Sequence, residues 1–188
     1  MNPILLDFPD QFETERLLIR SPKPGDGKAV YQAIQASKEE LKQWLSFAQK
    51  DQTEEETEIN MREAYVKFIK REDLRLLLFN KQTGVLIGSS GLHQINWDVP
   101  RFEIGYWLDT RYSGQGYMTE AVQGICQFAF DALGANRIEI CCDEKNQKSR
   151  AIPERLGFTL EGIFLKDSVA VNGNDLRDTC LFAKLRGA

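Results

Sequence analysis

The stretch RFEIGYWLDTRYSGQGYMTEAV, residues 101–122, changes character twice. RFEIGYWL (101–108) alternates, with Phe102, Ile104, Tyr106 and Leu108 on one side and Glu103, Gly105 and Trp107 on the other. That two-residue period is a strand's. From Thr119 the period is helical. Val122, Ile125, Cys126, Ala129 and Leu133 form one stripe, which predicts a helix over Thr119–Leu133 stopped by Gly134. Between the two lies RYSGQGYM (111–118). A glycine loop that leaves a strand and opens a helix suits an anion, because the first-turn N–H groups lack partners and the helix dipole is positive there. Gly114 and Gly116 have no Cβ, so a diphosphate can reach the backbone, and Arg111 adds a cation. A glycine turn that serves geometry alone is the alternative reading.

Two nucleotide-binding readings fail on the residues. A P-loop needs a lysine followed by Ser or Thr at the helix start, and the sequence there is GQGYMTE. A dinucleotide fingerprint needs a third glycine, where Thr119 stands.

Upstream, Arg16–Arg20 reads as a strand, Lys28–Ser37 and Lys38–Phe47 as two helices, and Thr53 with Glu56 as a capping box. The helix that follows runs to about residue 72, with Ile59, Tyr65, Val66 and Ile69 as its expected stripe. Strands are predicted at Leu74–Asn80, Val85–Ile95 and Arg101–Leu108, joined by short turns and so antiparallel. Downstream, Arg137–Asp143 is reached through a helical crossover and is parallel to Arg101–Leu108. A short helix at Lys148–Leu156 precedes two last strands that meet at Asn172-Gly173, a tight-turn pair. The sum is an α+β fold: a mixed, twisted, mostly antiparallel sheet of about seven strands, with helices on both faces.

Composition narrows the function. The 188 residues are 42% hydrophobic and 28% charged, ordinary for one globular domain spanning 1–188. There is neither an apolar run long enough for a bilayer nor a secretory signal pattern, so the expected compartment is the cytoplasm. A net charge of −4 argues against nucleic acid and suits a cationic substrate. Four cysteines without CxxC spacing and a single histidine argue against a metal site and for buried reduced thiols.

Arg111-Tyr112-Ser113-Gly114-Gln115-Gly116 resembles the [RQ]xxGx[GA] loop of the GNAT superfamily of N-acetyltransferases. The resemblance extends in order through ETERLLIR, GLHQI, EIGYWL, GQGYMTEA, NRIEI, Asn146-x-x-Ser149 and RLGFTLEG, and this set is similar to the Rim-type branch that acetylates ribosomal-protein N-termini. It implies acetyl-CoA as co-substrate and no metal. It implies that Arg111, Ser113, Gly114, Gln115, Gly116, Tyr117 and Met118 hold the diphosphate. The parallel strands would splay and seat the pantetheine arm on the free backbone of Trp107, Leu108 and Asp109. The amine would attack the thioester directly in a ternary complex, with a backbone N–H of the splayed strand on the developing oxyanion. Asn146 would touch the pantetheine arm and Ser149 would protonate the thiolate, helix capping being the alternative for each.

The base is less defined. Glu103 shares a sheet face with Trp107 and is a candidate, a solvated strand residue being the alternative. Rim-type enzymes carry a glutamate just after the EG of the penultimate strand. Here EGIFLKDSVAVNG has none, and Asp167 and Ser168 are nearest. His93 in SSGLHQI reads as a hydrogen-bonded structural histidine, with proton acceptance as the alternative. The run Asp51, Glu54, Glu55, Glu56 and Glu58 suits a helix N-terminus, or attraction of a basic tail or polyamine. The acceptor expected is a ribosomal-protein N-terminal α-amine. A small amine, or a non-catalytic CoA-binding role, is the alternative. The sequence does not name the oligomeric state; a homodimer is one reading of it.

Overall fold

The computed structural model describes residues 2–171 and 173–187. Eight strands form one sheet: β1 (Gln11–Glu13), β2 (Leu17–Arg20), β3 (Leu74–Asn80), β4 (Leu86–Asn96), β5 (Arg101–Leu108), β6 (Arg137–Asp143), β7 (Thr159–Val169) and β8 (Leu176–Leu185). Their order is β1-β2-β3-β4-β5-β6-β8-β7. Every neighbouring pair is antiparallel except β5–β6. The helices are α1 (Gly27–Leu41), α2 (Glu54–Lys70), α3 (Tyr117–Asp131) and α4 (Gln147–Arg155). The strand beyond the expected seven is β1, whose three residues are too few to show a period. The expected tight turn at Asn172-Gly173 includes Asn172, which lies outside the described residues.

Alternation along each strand splits the interior in two. One core joins Phe102 and Ile104 of β5 to Val122, Ile125 and Ala129 of α3. The other packs Val30 and Ile34 of α1 and Met61 of α2 against Leu77 and Leu86, with Trp107 at its margin. The predicted faces of β5 are therefore the observed ones, and Val122, Ile125, Cys126 and Ala129 are the buried stripe of α3, although the helix lies two residues earlier than predicted at both ends, Tyr117–Asp131, and leaves Leu133 beyond it.

Two expectations change. The two helices predicted over Lys28–Phe47 are one helix to Leu41 followed by a 3-10 turn at Ser46–Gln49. Nothing at Ser37-Lys38 breaks a helix, and the Ser37 hydroxyl accepts the Thr110 N–H at 2.9 Å, which holds α1 against the chain beyond β5. On α2 the capping box forms as predicted. Its buried stripe, however, is Thr57, Met61, Ala64 and Phe68, and Ile59, Val66 and Ile69 are about half exposed. A backbone crossing sets this rotation. A Cβ at Gly27 would lie 2.4 Å from the Glu58 Cα, and Glu58 accepts the N–H groups of Gly25 and Gly27 at 2.8 and 2.9 Å. Once Glu58 faces α1, Ile59 must face outward. The acidic run has structural partners here: Glu56 closes the capping box and Asp51 pairs with Lys38.

Candidate active site

β5 and β6 pair only at Arg101–Arg137, Phe102–Ile138 and Glu103–Glu139. Beyond these residues the two strands part, and β6 keeps β8 as its partner along its whole length. One side of β5 is thus left with backbone groups that have no partner among the described residues. Asp109 donates its N–H to Ile87 at 2.9 Å, and the Gly105 carbonyl accepts from the Ser90 hydroxyl at 2.8 Å. Successive residues point their backbone groups to opposite sides, so Trp107 also faces β4, while Tyr106 and Leu108 face the gap. The free backbone expected over Trp107, Leu108 and Asp109 narrows to Leu108, joined by Tyr106.

Asp109 has a different task. Its carboxylate is fully buried and accepts the Arg111 N–H at 3.0 Å and the Arg111 Nη2 at 2.6 Å. This clamp fixes the exit from β5 and holds Arg111, whose side chain is 59% exposed, at the loop rim. Ser113, Gly114, Gln115 and Gly116 are exposed, Tyr117 is half-buried and Met118 is buried. Gly114 and Gly116 have φ of 77° and 80°, the left-handed region that a side chain strains. Gly116 caps α3 with no side-chain hydrogen bond. The N–H groups from Gly114 to Met118 have no hydrogen-bond acceptor among the described residues. They line an open, amide-rich cradle that an oxyanion group fits.

Sequence reasoning missed what braces this cradle. Arg16 donates to the Gln115 carbonyl at 3.0 Å, lies over the Tyr117 ring at 4.2 Å and donates through Nε to Glu120 at 2.6 Å. Glu120 also accepts from the Thr14 hydroxyl and the Arg16 N–H. Burial works against the Glu120 charge, but these hydrogen bonds and Arg16 hold its carboxyl below the usual range. The signal was present as the paired motifs ETERLLIR and GQGYMTEA; their contact was not readable.

Across the gap, Asn146 caps α4 by accepting the Ser149 N–H at 3.1 Å. Ser149 Oγ donates to Tyr106 Oη at 3.3 Å, and the Tyr106 hydroxyl donates to the Ser149 carbonyl at 2.8 Å. Burial raises the Tyr106 pKa far above neutrality, so it stays protonated. Tyr106 is the second missed residue, because 43 positions separate it from Ser149.

The opposite face of β5 borders a cleft of about 270 Å³ between the sheet and α1–α2. Phe47, Met61 and Trp107 give it apolar walls. Glu103 stands in register with His93 on β4 and with Glu139 on β6. Burial is the main cause that raises its pKa; His93 opposes this and Glu139 adds to it. Asp167 is exposed on β7, beside a register shift between Phe164 and Ser168. Burial, then Glu103, Glu139, Cys142 and Asp167, push the Cys141 thiol up to about 12, so the three carboxylates share one electrostatic neighbourhood. Cys126, Cys142 and Cys180 are buried free thiols. Among the described residues no three metal-ligating side chains are grouped to hold an ion, and no helix is long and apolar enough to cross a membrane.

This arrangement of parted parallel strands, amide cradle and capped helix is that of an acetyltransferase, and the chain belongs to the GNAT acetyltransferase family: the model of the Acetyltransferase (GNAT) domain matches residues 16–159. YdaF of Bacillus subtilis (strain 168), provisionally named a ribosomal N-acetyltransferase, is 33% identical over 165 residues, 85% of this chain and 86% of that protein. The ribosomal-protein-serine acetyltransferase of Escherichia coli (strain K12) is 30% identical over 172 residues, 92% and 94% of the two chains. The solved structure of RimL, a ribosomal L7/L12 alpha-N-protein acetyltransferase in complex with coenzyme A, matches with a TM-score of 0.85 at 26% identity, covering 92% of this chain and 95% of that one.

Proposed function

We propose that the protein transfers the acetyl group of acetyl-CoA to a primary amine, and that its acceptor is the N-terminal α-amine of a protein of the ribosomal kind. The observation that carries this reading is the continuity of the amide cradle at Gly114–Met118 with the gap beside β5. A diphosphate on the cradle directs the attached arm along Leu108 and Tyr106, towards Ser149. Gly114 and Gly116 let it approach, with Arg111 beside it, and Asn146 stands at the mouth of the gap. Neutral amine attacks the thioester carbonyl from the cleft side, and a gap-facing N–H of β5 meets the charge that builds on oxygen. Ser149, oriented by Tyr106, delivers a proton to the departing sulfur.

The cleft suits a cationic acceptor. Glu103, Glu139 and Asp167 draw an ammonium towards a face walled by Trp107 and Phe47. Relatives named for ribosomal-protein acetylation support the α-amine, and a cytoplasmic site of action fits such an acceptor. Acetyl-CoA turnover against N-terminal peptides, polyamines and aminoglycosides tests the reading. The highest kcat/KM should fall on a peptide with a free N-terminus. Preference for a polyamine or aminoglycoside would make this a small-amine enzyme, and acetyl-CoA binding without any turnover would make it a CoA-binding module.

A further inference from the structure

At the edge of the cleft, His93 forms with Asp73 a proton-handling pair that acetyl transfer as described leaves unused. His93 Nδ1 lies 2.6 Å from Asp73 Oδ2, and each side chain is 28% exposed. His93 Nε2 has no hydrogen-bond partner among the described residues. Two glycines make room for the ring. A Cβ at Gly91 would lie 3.0 Å from Cε1, and one at Gly105 would lie 3.3 Å from Cδ2 and 3.7 Å from Nε2. The imidazole therefore leans over β5 at Gly105, on the face that carries Trp107 and borders the cleft. The next residue, Tyr106, carries the hydroxyl that holds Ser149 on the other side. A proton acceptor and a proton donor thus approach the same point of β5 from opposite faces.

The structure assigns the deprotonation of the incoming amine to His93, with Asp73 as its positioning residue. This rests on the acetyl-transfer reading above. A carboxylate on Nδ1 keeps the proton there and leaves the Nε2 lone pair free to accept. Of the ammonium's three protons, one stays on the amide. One reaches the CoA sulfur by way of Ser149 as the C–S bond breaks and the C–N bond forms. The third leaves on Nε2 and passes to water. An imidazole is the matched acceptor for an α-amine: their ordinary pKa values, about 6.5 and 7.7–8.0, lie closer together than those of a carboxylate and an amine.

The charges around the ring favour an ammonium guest. Asp73 precedes β3, and burial opposes its charge, yet the His93 hydrogen bond and the charges of His93, Arg75 and Lys67 keep its carboxyl below the usual range. Glu103 faces the ring from β5, with Glu139 behind it on β6. Glu72 and Asp98 lie around the outer opening with Lys67 of α2 and Arg101 of β5.

The test is kcat/KM against pH, over about pH 5.5 to 9, for acetylation of a peptide with a free N-terminal serine at saturating acetyl-CoA. Wild type should show an acidic limb that lies below the acceptor amine's own titration, about 7.7–8.0. His93→Gln should lose about 10²–10⁴-fold at neutral pH, and its limb should rise to the amine's own titration, about 7.7–8.0, with acetyl-CoA affinity unchanged. Asp73→Asn removes an anion that favours the protonated ring, so its limb should move to lower pH with reduced kcat and intact KM. If the His93→Gln chain fails to fold, the limb of Asp73→Asn decides. A wild-type limb that follows the acceptor's own titration, wild-type kcat in His93→Gln, or loss of the limb in Glu103→Gln instead would each overturn the role while acetylation stands. A wild type that binds acetyl-CoA and acetylates no amine overturns the acetyl-transfer reading and the role together.

Discussion

The two sides of β5 are made of different materials. On the gap side the site is backbone: open N–H groups from Gly114 to Met118, and Tyr106 and Leu108 facing the parted strand, all within one short stretch of chain. On the cleft side it is side chains from separate elements: His93 on β4 lines the cleft and pairs with Asp73 before β3, Glu103 on β5 and Glu139 on β6 stand in register beside it, and Asp167 on β7 shares their electrostatic neighbourhood. A backbone site depends on where glycines permit a left-handed turn. A side-chain site depends on strand register, since a one-residue slip would turn His93 or Glu103 to the other face. The first can therefore be read from adjacent residues, and the second cannot.

Three substitutions probe that contrast. The largest effect should come from Gly116→Val, which puts a β-branched side chain at φ 80° and over the cradle. Losing two amide-to-anion contacts at about 1.5–3 kcal/mol each corresponds to a fall of about 10²–10⁴-fold in acetyl-CoA affinity. The backbone strain of about 1–3 kcal/mol should also lower the thermal midpoint. Titration calorimetry showing wild-type affinity in the folded variant would remove the cradle from the site.

Ser149→Ala should cost less. A hydrogen bond to a group gaining charge is worth about 1.5–3 kcal/mol, or about 10- to 10²-fold in kcat. Acetyl-CoA affinity should hold, because the contact strengthens only as charge builds on sulfur and the Asn146 cap uses the backbone N–H. A matching loss of affinity with kcat unchanged would give Ser149 a binding role.

Glu103→Gln should do least. If the carboxylate only draws the ammonium in, the partly exposed pair is worth about 0.2–1 kcal/mol, a rise of about 1.4- to 5-fold in KM that fades with salt. Because burial raises the Glu103 pKa, wild type should lose this attraction on acidification earlier than an ordinary glutamate would. A collapse of kcat would show the carboxylate at the chemistry.

The misread elements follow the same division. The faces of β5, the stripe of α3 and the capping box on Thr53 each rest on residues within a few positions of one another, and each stands in the structure. Ile59, Val66 and Ile69 also have helical spacing, but so do Met61, Ala64 and Phe68. Choosing between the two stripes needed the Gly27–Glu58 crossing, 31 residues apart. The Ser149–Tyr106 pair and the Arg16 brace, separated from their partners by 43 and about a hundred positions, were out of reach for the same reason.

The sequence by itself determined the α+β class, the parallel neighbours β5 and β6, the glycine loop between strand and helix, and through these the family. Periodicity and turn chemistry are properties of neighbouring residues, and each segment satisfies its own backbone accordingly. Only the tertiary structure decided that the parallel strands part after Glu103, that Asp109 anchors the loop rather than the arm, and that His93 meets Asp73 above Gly105. Those outcomes depend on which strand pairs with which and at what offset. The pairing is settled by burying two cores at once across residues far apart in the chain.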